Sequence, residues 1–216
     1  MPRQIPPNKH DGHPHRLLLP KGTPLWRVHD RKRPCEAFTP ARIHSGLGGG
    51  RFDGTVEEEY GHCYLAYEQS TALAECLLRS VLFDDAGPRL LPYETVRGRR
   101  LSLVETRREL TLTSLASTPA LAAVAQDEWL IQAQPPDYPL TRQWAHWLRR
   151  NDPSTAGLDW ISRRDLPNRS IVLFEDRCGP LPLAPTPLYV DLDTGEGLNH
   201  LNVMLRPYRA HVTSVS

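Results

Sequence analysis

Short apolar runs separated by turn residues recur along most of the chain, and this pattern predicts a strand-rich protein. Runs of this length, enriched in β-branched and aromatic residues, are typical of strands. The predicted strands are 24–29, 63–67, 101–104, 110–115, 158–162, 170–175 and 188–192, with a further β-like region near 201–205.

Other segments repeat their apolar residues at the helical period. The segment 69–82 has one such face, formed by Leu73, Cys76, Leu77 and Ser80. Ser70 or Thr71 is a candidate N-cap for this helix. Glu75 falls beside the apolar face, where its carboxylate can reach a cleft.

Two further helices are predicted downstream. Thr118 and Pro119 suit the N-cap and first position of a helix over 121–126. The segment 138–150 is amphipathic and carries Trp144 and Trp147 on its apolar side.

Strands and helices are interspersed without regular βαβ alternation, which favours an α+β fold over a doubly wound sheet. Residues 1–22 are polar and rich in Pro and His, so we expect a flexible leader there. No Gly/Ser-rich linker divides the remainder, so residues 23–216 are predicted to form one domain.

Composition narrows the class of protein. Lys plus Arg number 26 and Asp plus Glu number 25, so the formal charge is +1 and offers no long-range attraction to nucleic acid or to an acidic membrane. The first 22 residues lack the apolar run that is typical of a secretory signal, and no apolar stretch approaches the ~20 residues that span a bilayer. We therefore expect a cytoplasmic protein.

The four cysteines form no CxxC pair, so a zinc site built from them is not expected. Cys63 and Cys76 fall on a predicted strand and a predicted helix, and both are expected to be core thiols. The sequence predicts no metal site.

Five residues have the chemistry of a small-ligand site. Arg27 interrupts an apolar strand, Arg51 follows three consecutive glycines, Tyr64 and Glu75 come from a strand and the next helix, and Ser162 ends a strand. Arginines bind phosphate through bidentate hydrogen bonds, and a carboxylate accepts hydrogen bonds from sugar hydroxyls. The set therefore fits a ligand that carries phosphates and ribose.

Each of these residues also has a purely structural interpretation. Glu75 and Arg79 are spaced as an i, i+4 pair, which commonly decorates a solvated helix face. Arg27 is compatible with a surface position on an edge strand, Tyr64 with the core, and Ser162 with a turn. The glycines are equally compatible with a loose turn.

The order and context of the five residues resemble those of the RES domain, a family named for its Arg, Glu and Ser. The segments that carry the resemblance are WRVH, GGGRFDGT, CYLAYEQSTALAE, WISRRD and SIVLFE, within roughly residues 22–180. Arg27 and Arg51 match the two arginines of the family's NAD pocket. Tyr64, Glu75 and Ser162 match its tyrosine, glutamate and serine.

The resemblance implies a compact α+β fold similar to that of ADP-ribosyltransferases and diphtheria-type toxins. It also implies a bacterial toxin that consumes NAD⁺ as a substrate by hydrolysis, or by phosphorolysis with phosphate as co-substrate, and needs no cofactor. The implied partner is a helix-turn-helix antitoxin encoded nearby. Glu75, Arg27 and Ser162 are the implied catalytic residues, and Arg27, Arg51, Tyr64 and Ser162 the implied NAD⁺ ligands.

Two other functions remain open on the sequence. The same pocket would serve the transfer of ADP-ribose to a protein, and a non-enzymatic binding module is the third possibility. The chain also departs from the family pattern, with Arg51-Phe52-Asp53 where many members have Arg-aromatic-Asn, an acidic run 57–59, and a long stretch between Glu75 and Ser162.

Overall fold

The structure, a computed structural model, describes residues 4–8, 12–41, 49–85 and 87–213. Its strands are β1 Arg16–Leu19, β2 Pro24–Asp30, β3 His62–Ala66, β4 Arg89–Leu91, β5 Arg99–Thr106, β6 Leu110–Ser114, β7 Gly157–Ile161, β8 Arg169–Phe174, β9 Leu183–Asp191 and β10 Ala210–Val212. Its helices are α1 Gln69–Leu77, α2 Thr118–Ala122, α3 Trp129–Gln132, α4 Tyr138–Asn151 and α5 Gly195–Leu205. The predicted α+β class is confirmed.

Eight of the strands form one sheet in the order β1-β6-β7-β8-β3-β2-β5-β9. Among the described strands of this sheet, only β6 and β7 pair in parallel, and β4 pairs with β10 in a separate parallel ribbon. Strand β3 lies inside the large sheet, between β8 and β2. The strands that carry Tyr64 and Arg27 are therefore neighbours.

The core lies on both faces of the sheet because successive residues of a strand point to opposite sides. On β8, Val172 and Phe174 join a cluster with Trp144 of α4, whereas Ile171 and Leu173 pack with Leu112 on the other face. A further cluster packs α1 and α5 against β5. No helix among the described residues is long and apolar enough to cross a membrane.

The predicted flexible leader over 1–22 is wrong for its last part. Arg16–Leu19 forms β1, which pairs antiparallel with β6, and Leu19 is buried. Upstream, the indole of Trp144 donates to the carbonyl of Gln4. Polar composition did not reveal this strand because its partner is distant in sequence; residues 1–3 and 9–11 lie outside the described part.

The β-like region predicted near 201–205 is also wrong, because these residues belong to α5. The hydroxyl of Thr194 accepts a hydrogen bond from the Gly197 amide and caps the helix. Leu201 and Leu205 are then one turn apart and both are buried. A short apolar run cannot by itself distinguish a strand from a buried helix face.

Helix α1 is shorter than predicted and begins differently. It ends at Leu77, and Ser80 is exposed rather than part of the buried face. Its N-cap is Glu68, while the hydroxyls of Ser70 and Thr71 both donate to Asp165. Contacts with the β7–β8 connection therefore replace the local capping that the sequence predicted.

Helix α2 also begins one residue away from its predicted N-cap. The cap is Ser117, whose hydroxyl accepts from the Ala120 amide, rather than Thr118. The predicted strands and α4 agree with the structure to within a few residues, apart from β5 and β9, which are longer than predicted.

Candidate functional site

A cleft of about 200 Å³ opens where β2, β3 and α1 meet. Four of the five predicted site residues line it, namely Arg27, Arg51, Tyr64 and Glu75. These residues come from two strands, a loop and a helix, so the tertiary fold brings them together. Ser162 does not line the cleft, but its hydroxyl contacts the carboxylate of Glu75, which does.

Arg27 is held in the wall of the cleft by main-chain oxygens. Its Nη1 donates to the carbonyls of Cys35 and Ala37 at 2.7 and 2.6 Å. Only 7% of the residue is exposed, and no carboxylate of the described residues lies within ion-pair distance. The site therefore presents a buried positive charge that two neutral carbonyls orient without neutralising.

Arg51 is surrounded by aromatic rings. Its guanidinium carbon lies 5.7 to 5.9 Å from the ring centroids of Phe52, Tyr138 and Trp160. The residue is 4% exposed, and its Nε has no hydrogen-bond partner among the described residues. Because Arg51 lines the cleft and forms no ion pair among the described residues, its positive charge is available to bind an anion.

The glycine loop before Arg51 is fixed by groups of the protein itself. The carboxylate of Asp53 accepts from the Gly50 amide at 2.6 Å and from the Tyr64 hydroxyl at 2.7 Å. The same hydroxyl accepts from the Phe52 amide at 2.9 Å. A Cβ on Gly50 would clash with Asp53 Oδ1 and would lie 2.7 Å from Cζ of the Tyr64 ring, so this position favours glycine.

This arrangement changes the role expected for Tyr64. Its ring lines the cleft, but its hydroxyl is committed to the loop that carries Arg51. Burial raises the pKa of Tyr64 well above its ordinary value, and the adjacent Asp53 carboxylate acts in the same direction. The hydroxyl therefore stays protonated and donates to Asp53. Residues 46–48 of the glycine-rich stretch lie outside the described part.

Glu75 is half-buried on the face of α1 that looks into the cleft, and Ser162 orients it. The Ser162 hydroxyl donates to Glu75 Oε1 at 2.7 Å and accepts from the Arg164 amide at 3.2 Å. Ser162 is fully buried. Since the amide can only donate, it leaves the hydroxyl proton directed at the carboxylate. Ser162 is thus a positioning residue rather than one that contacts a ligand in the cleft.

Several residues that sequence reasoning did not select also line the cleft, namely His62, Cys76, Arg79, Tyr138, Trp160 and Ser170. Arg79 does not decorate a solvated face as its spacing suggested. Its Nη1 donates to the Gly49 carbonyl at 2.7 Å, and its guanidinium lies over Tyr138. Its position one helical turn after Glu75, a candidate catalytic residue, is the sequence feature that could have identified Arg79 as a cleft residue.

Cys76, which was expected to be a core thiol, packs against the hydrophobic cluster around α1 but is only partly buried, and it also lines the cleft. Arg99 donates to its sulfur at 3.1 Å, while burial raises the thiol pKa. Cys63 is buried in the core, as predicted. No group of three His, Cys, Asp or Glu side chains in the described ranges is placed to hold a metal ion.

His62 faces the glycine loop from β3. Its Nε2 is 3.4 Å from Asp53 Oδ1, and its Nδ1 is buried without a hydrogen-bond partner among the described residues. Burial lowers the pKa of His62, and the opposing effect of Asp53 is smaller. The imidazole is therefore neutral near pH 7, and the positive charges that line the cleft come from arginines.

The departures from the family pattern have structural roles. Within the acidic run, Glu58 pairs with Arg149 and Arg150, and these ion pairs fasten the loop to α4. The long stretch between Glu75 and Ser162 includes β5, β6 and α4, and supplies Tyr138 to the cleft wall. It is part of the core rather than an addition at the periphery.

Comparisons with known proteins agree with this picture. One chain in the crystal structure of the M. tuberculosis MbcT–MbcA toxin–antitoxin complex has a similar fold, with a TM-score of 0.53 and 16% sequence identity over 81% of this chain and 86% of that chain. No curated protein matches the chain. The sequence model of the RES domain matches residues 24–193, which span β2 to the end of β9 and all five predicted site residues. The chain therefore belongs to the RES-domain family.

Proposed function

We propose that this protein binds NAD⁺ in the cleft and cleaves the bond between nicotinamide and ribose. The observation that carries the proposal is the placement of the Ser162-oriented Glu75 carboxylate in the same cleft as the guanidinium groups of Arg27 and Arg51, which form no ion pair within the described residues. A dinucleotide with two phosphates and a cationic pyridinium matches these charges.

The chemistry follows from the charge that develops during cleavage. When the C1′–N bond breaks, its electron pair leaves with nicotinamide as a neutral group, and positive charge spreads over C1′ and the ring oxygen of ribose. A carboxylate held beside the ribose stabilises that charge, which is electrostatic preorganisation. Glu75 has this role in the proposal, and Ser162 limits its rotation.

The arginines bind and orient the substrate. Arg27 and Arg51 would hold the diphosphate through charge-assisted hydrogen bonds, which lowers the entropic cost of reaching the transition state. The aromatic rings of Tyr64, Tyr138 and Trp160 supply flat surfaces for the nicotinamide and its ribose. Water, losing a proton, or phosphate then bonds to C1′, which gives ADP-ribose or its 1″-phosphate.

We further propose that the protein is a bacterial toxin of the cytoplasm that a partner neutralises. Family membership supports this, and so does the similar chain from a toxin–antitoxin complex. The expected partner is a helix-turn-helix antitoxin encoded by a neighbouring gene. The fold is also expected to be related to that of ADP-ribosyltransferases.

The decisive experiment is incubation of the purified protein with NAD⁺, with and without inorganic phosphate, and identification of the products by mass spectrometry. Release of nicotinamide with ADP-ribose indicates hydrolysis, and a phosphate-dependent sugar phosphate indicates phosphorolysis. ADP-ribose appearing only on added cell proteins would indicate transfer to a protein instead. NAD⁺ that stays intact in all three assays would reject the proposed activity.

A further inference from the structure

A second cavity, of about 380 Å³, adjoins the cleft and shares Arg79 with it. We call it the arginine groove after five of its lining residues: Arg79, Arg89, Arg163, Arg164 and Arg209. No Asp or Glu of the described residues lines it. The protein as a whole is nearly neutral, so this is a local concentration of positive charge.

The arginines of the groove are not neutralised by the protein. Within the described ranges none of the five forms an ion pair, whereas Arg149 pairs with both Glu58 and Asp176 elsewhere in the fold. The Nε atoms of Arg89 and Arg164 are buried and have no hydrogen-bond partner in the part of the chain that the structure describes. Like charges gathered in one cavity repel each other, so an anionic occupant would relieve an unfavourable energy.

The Arg164 guanidinium donates to the main-chain oxygen of Arg79 at 2.7 Å, which joins the wall of the groove to the residue that the groove shares with the cleft. Burial lowers the pKa of Arg164; Glu75 and Tyr138 oppose this effect, and the charges of Arg163 and Arg51 add to it more weakly.

The groove also has an exposed apolar side. Leu82 is 84% exposed and Phe83 is 55% exposed, and both line the groove. The guanidinium of Arg89 lies 4.1 Å from the centroid of the Phe83 ring. A free phosphate or pyrophosphate has no apolar part that would cover these side chains. A peptide with both carboxylates and apolar side chains would cover them and pair with the arginines.

We propose that the arginine groove is a docking site for an acidic protein segment that also carries apolar side chains. The carboxylates of the segment bind the arginines, and its apolar residues cover Leu82 and Phe83. Binding of the segment does not depend on the reaction in the cleft. The contact with Arg79, which would bring the segment to the edge of the NAD⁺ site, does rest on the proposed function.

The test measures binding of a fluorescent peptide of alternating Asp, Glu, Leu and Phe to the full chain, with a peptide of the same apolar residues but Gln for each acid as the reference. The variants are Arg89→Glu/Arg209→Glu and, separately, Arg163→Glu. Arg107→Glu is the matched control, because Arg107 is exposed and its side chain makes no described contact. Circular dichroism and thermal unfolding establish that each variant is folded.

We expect the acidic peptide to bind the wild type and the control alike, and charge reversal in the groove to weaken binding by about tenfold or more. Raising the salt concentration should weaken binding as well. Affinity of the variants for NAD⁺, measured by calorimetry, should be unchanged. If the wild type shows no peptide binding at about 1 mM, or if the Gln peptide binds equally well, the proposal is wrong.

Two further results would also overturn it. Loss of NAD⁺ affinity in the Arg89→Glu/Arg209→Glu variant would assign the groove to the dinucleotide site. Pyrophosphate that binds the wild type more tightly than the peptide, and loses affinity in the same variants, would make a phosphate the occupant. Intact NAD⁺ in the activity assay would reject the proposed reaction without affecting the peptide measurement.

Discussion

The hydroxyl of Ser162 donates to Glu75 Oε1 at 2.7 Å, across 87 residues of sequence. This bond connects the residue that follows β7 to the last turn of α1. Ser162 is fully buried and does not line the cleft, and this bond explains how it can still affect the site. Ser162 therefore influences the cleft through the orientation of one carboxylate, and its effect should depend on that carboxylate.

Substitution Ser162→Ala is expected to lower kcat for NAD⁺ cleavage by about 10- to 100-fold, because a hydrogen bond to a charged group contributes about 1.5–3 kcal/mol. KM should change little, since Ser162 does not reach the cleft. In a Glu75→Gln background the same substitution should have almost no further effect. Equal losses in both backgrounds would show that Ser162 acts independently of Glu75.

Substitution Glu75→Gln should lower NAD⁺ cleavage by about 10²–10³-fold or more, since a preorganised charge is lost while the shape of the side chain is kept. The amide can still contact Ser162, so the unfolding temperature should stay close to that of the wild type. Product release measured by chromatography tests the rate. Wild-type turnover in a folded variant would remove Glu75 from the mechanism.

Substitutions Arg27→Ala and Arg51→Ala should each weaken NAD⁺ binding by about 1.5–3 kcal/mol, the contribution of charge-assisted hydrogen bonds. Neither arginine has a carboxylate partner in the described structure, so removing its charge breaks no ion pair. Calorimetry measures the affinity, with Arg107→Ala as the control. Unchanged affinity in both variants would contradict the diphosphate assignment.

Substitution Tyr64→Phe should reduce the free energy of unfolding by about 1–3 kcal/mol, because the amide of Phe52 and the buried carboxylate of Asp53 each lose a hydrogen bond. NAD⁺ affinity should fall as well, since the loop carries Arg51. Tyr67→Phe is the matched control, as the Tyr67 hydroxyl has no hydrogen bond in the described structure. Denaturant unfolding measures the stability of the two variants. Equal stabilities would show that the Tyr64 hydroxyl does not hold the loop that carries Arg51.

Expression of the chain alone in bacteria should arrest growth, and the cellular NAD⁺ pool should fall at the same time, because a turning-over enzyme drains a shared substrate. Glu75→Gln should relieve both effects together, and co-expression of the antitoxin should do the same. Growth arrest at a constant NAD⁺ level would instead indicate modification of a specific protein. Normal growth would argue against the toxin assignment.

The sequence was informative where the determining interactions are local. The period of apolar residues identified β2, β3, β7, β8 and α4, because alternation and helical spacing reflect a single buried face. The sequence was less informative where contact with a residue distant along the chain determined the local structure. Arg16–Leu19 became a strand only through pairing with β6, and Ser70 and Thr71 turned from caps into donors to Asp165.

The sequence alone determined the α+β class, the family and four residues of the cleft, since residue types in a characteristic order carry that information. Only the tertiary structure decided how they cooperate. It placed Ser162 behind Glu75, committed the Tyr64 hydroxyl to Asp53, and turned Arg79 into the cleft. These relationships depend on which distant groups satisfy each buried donor and charge, and no local pattern specifies that choice.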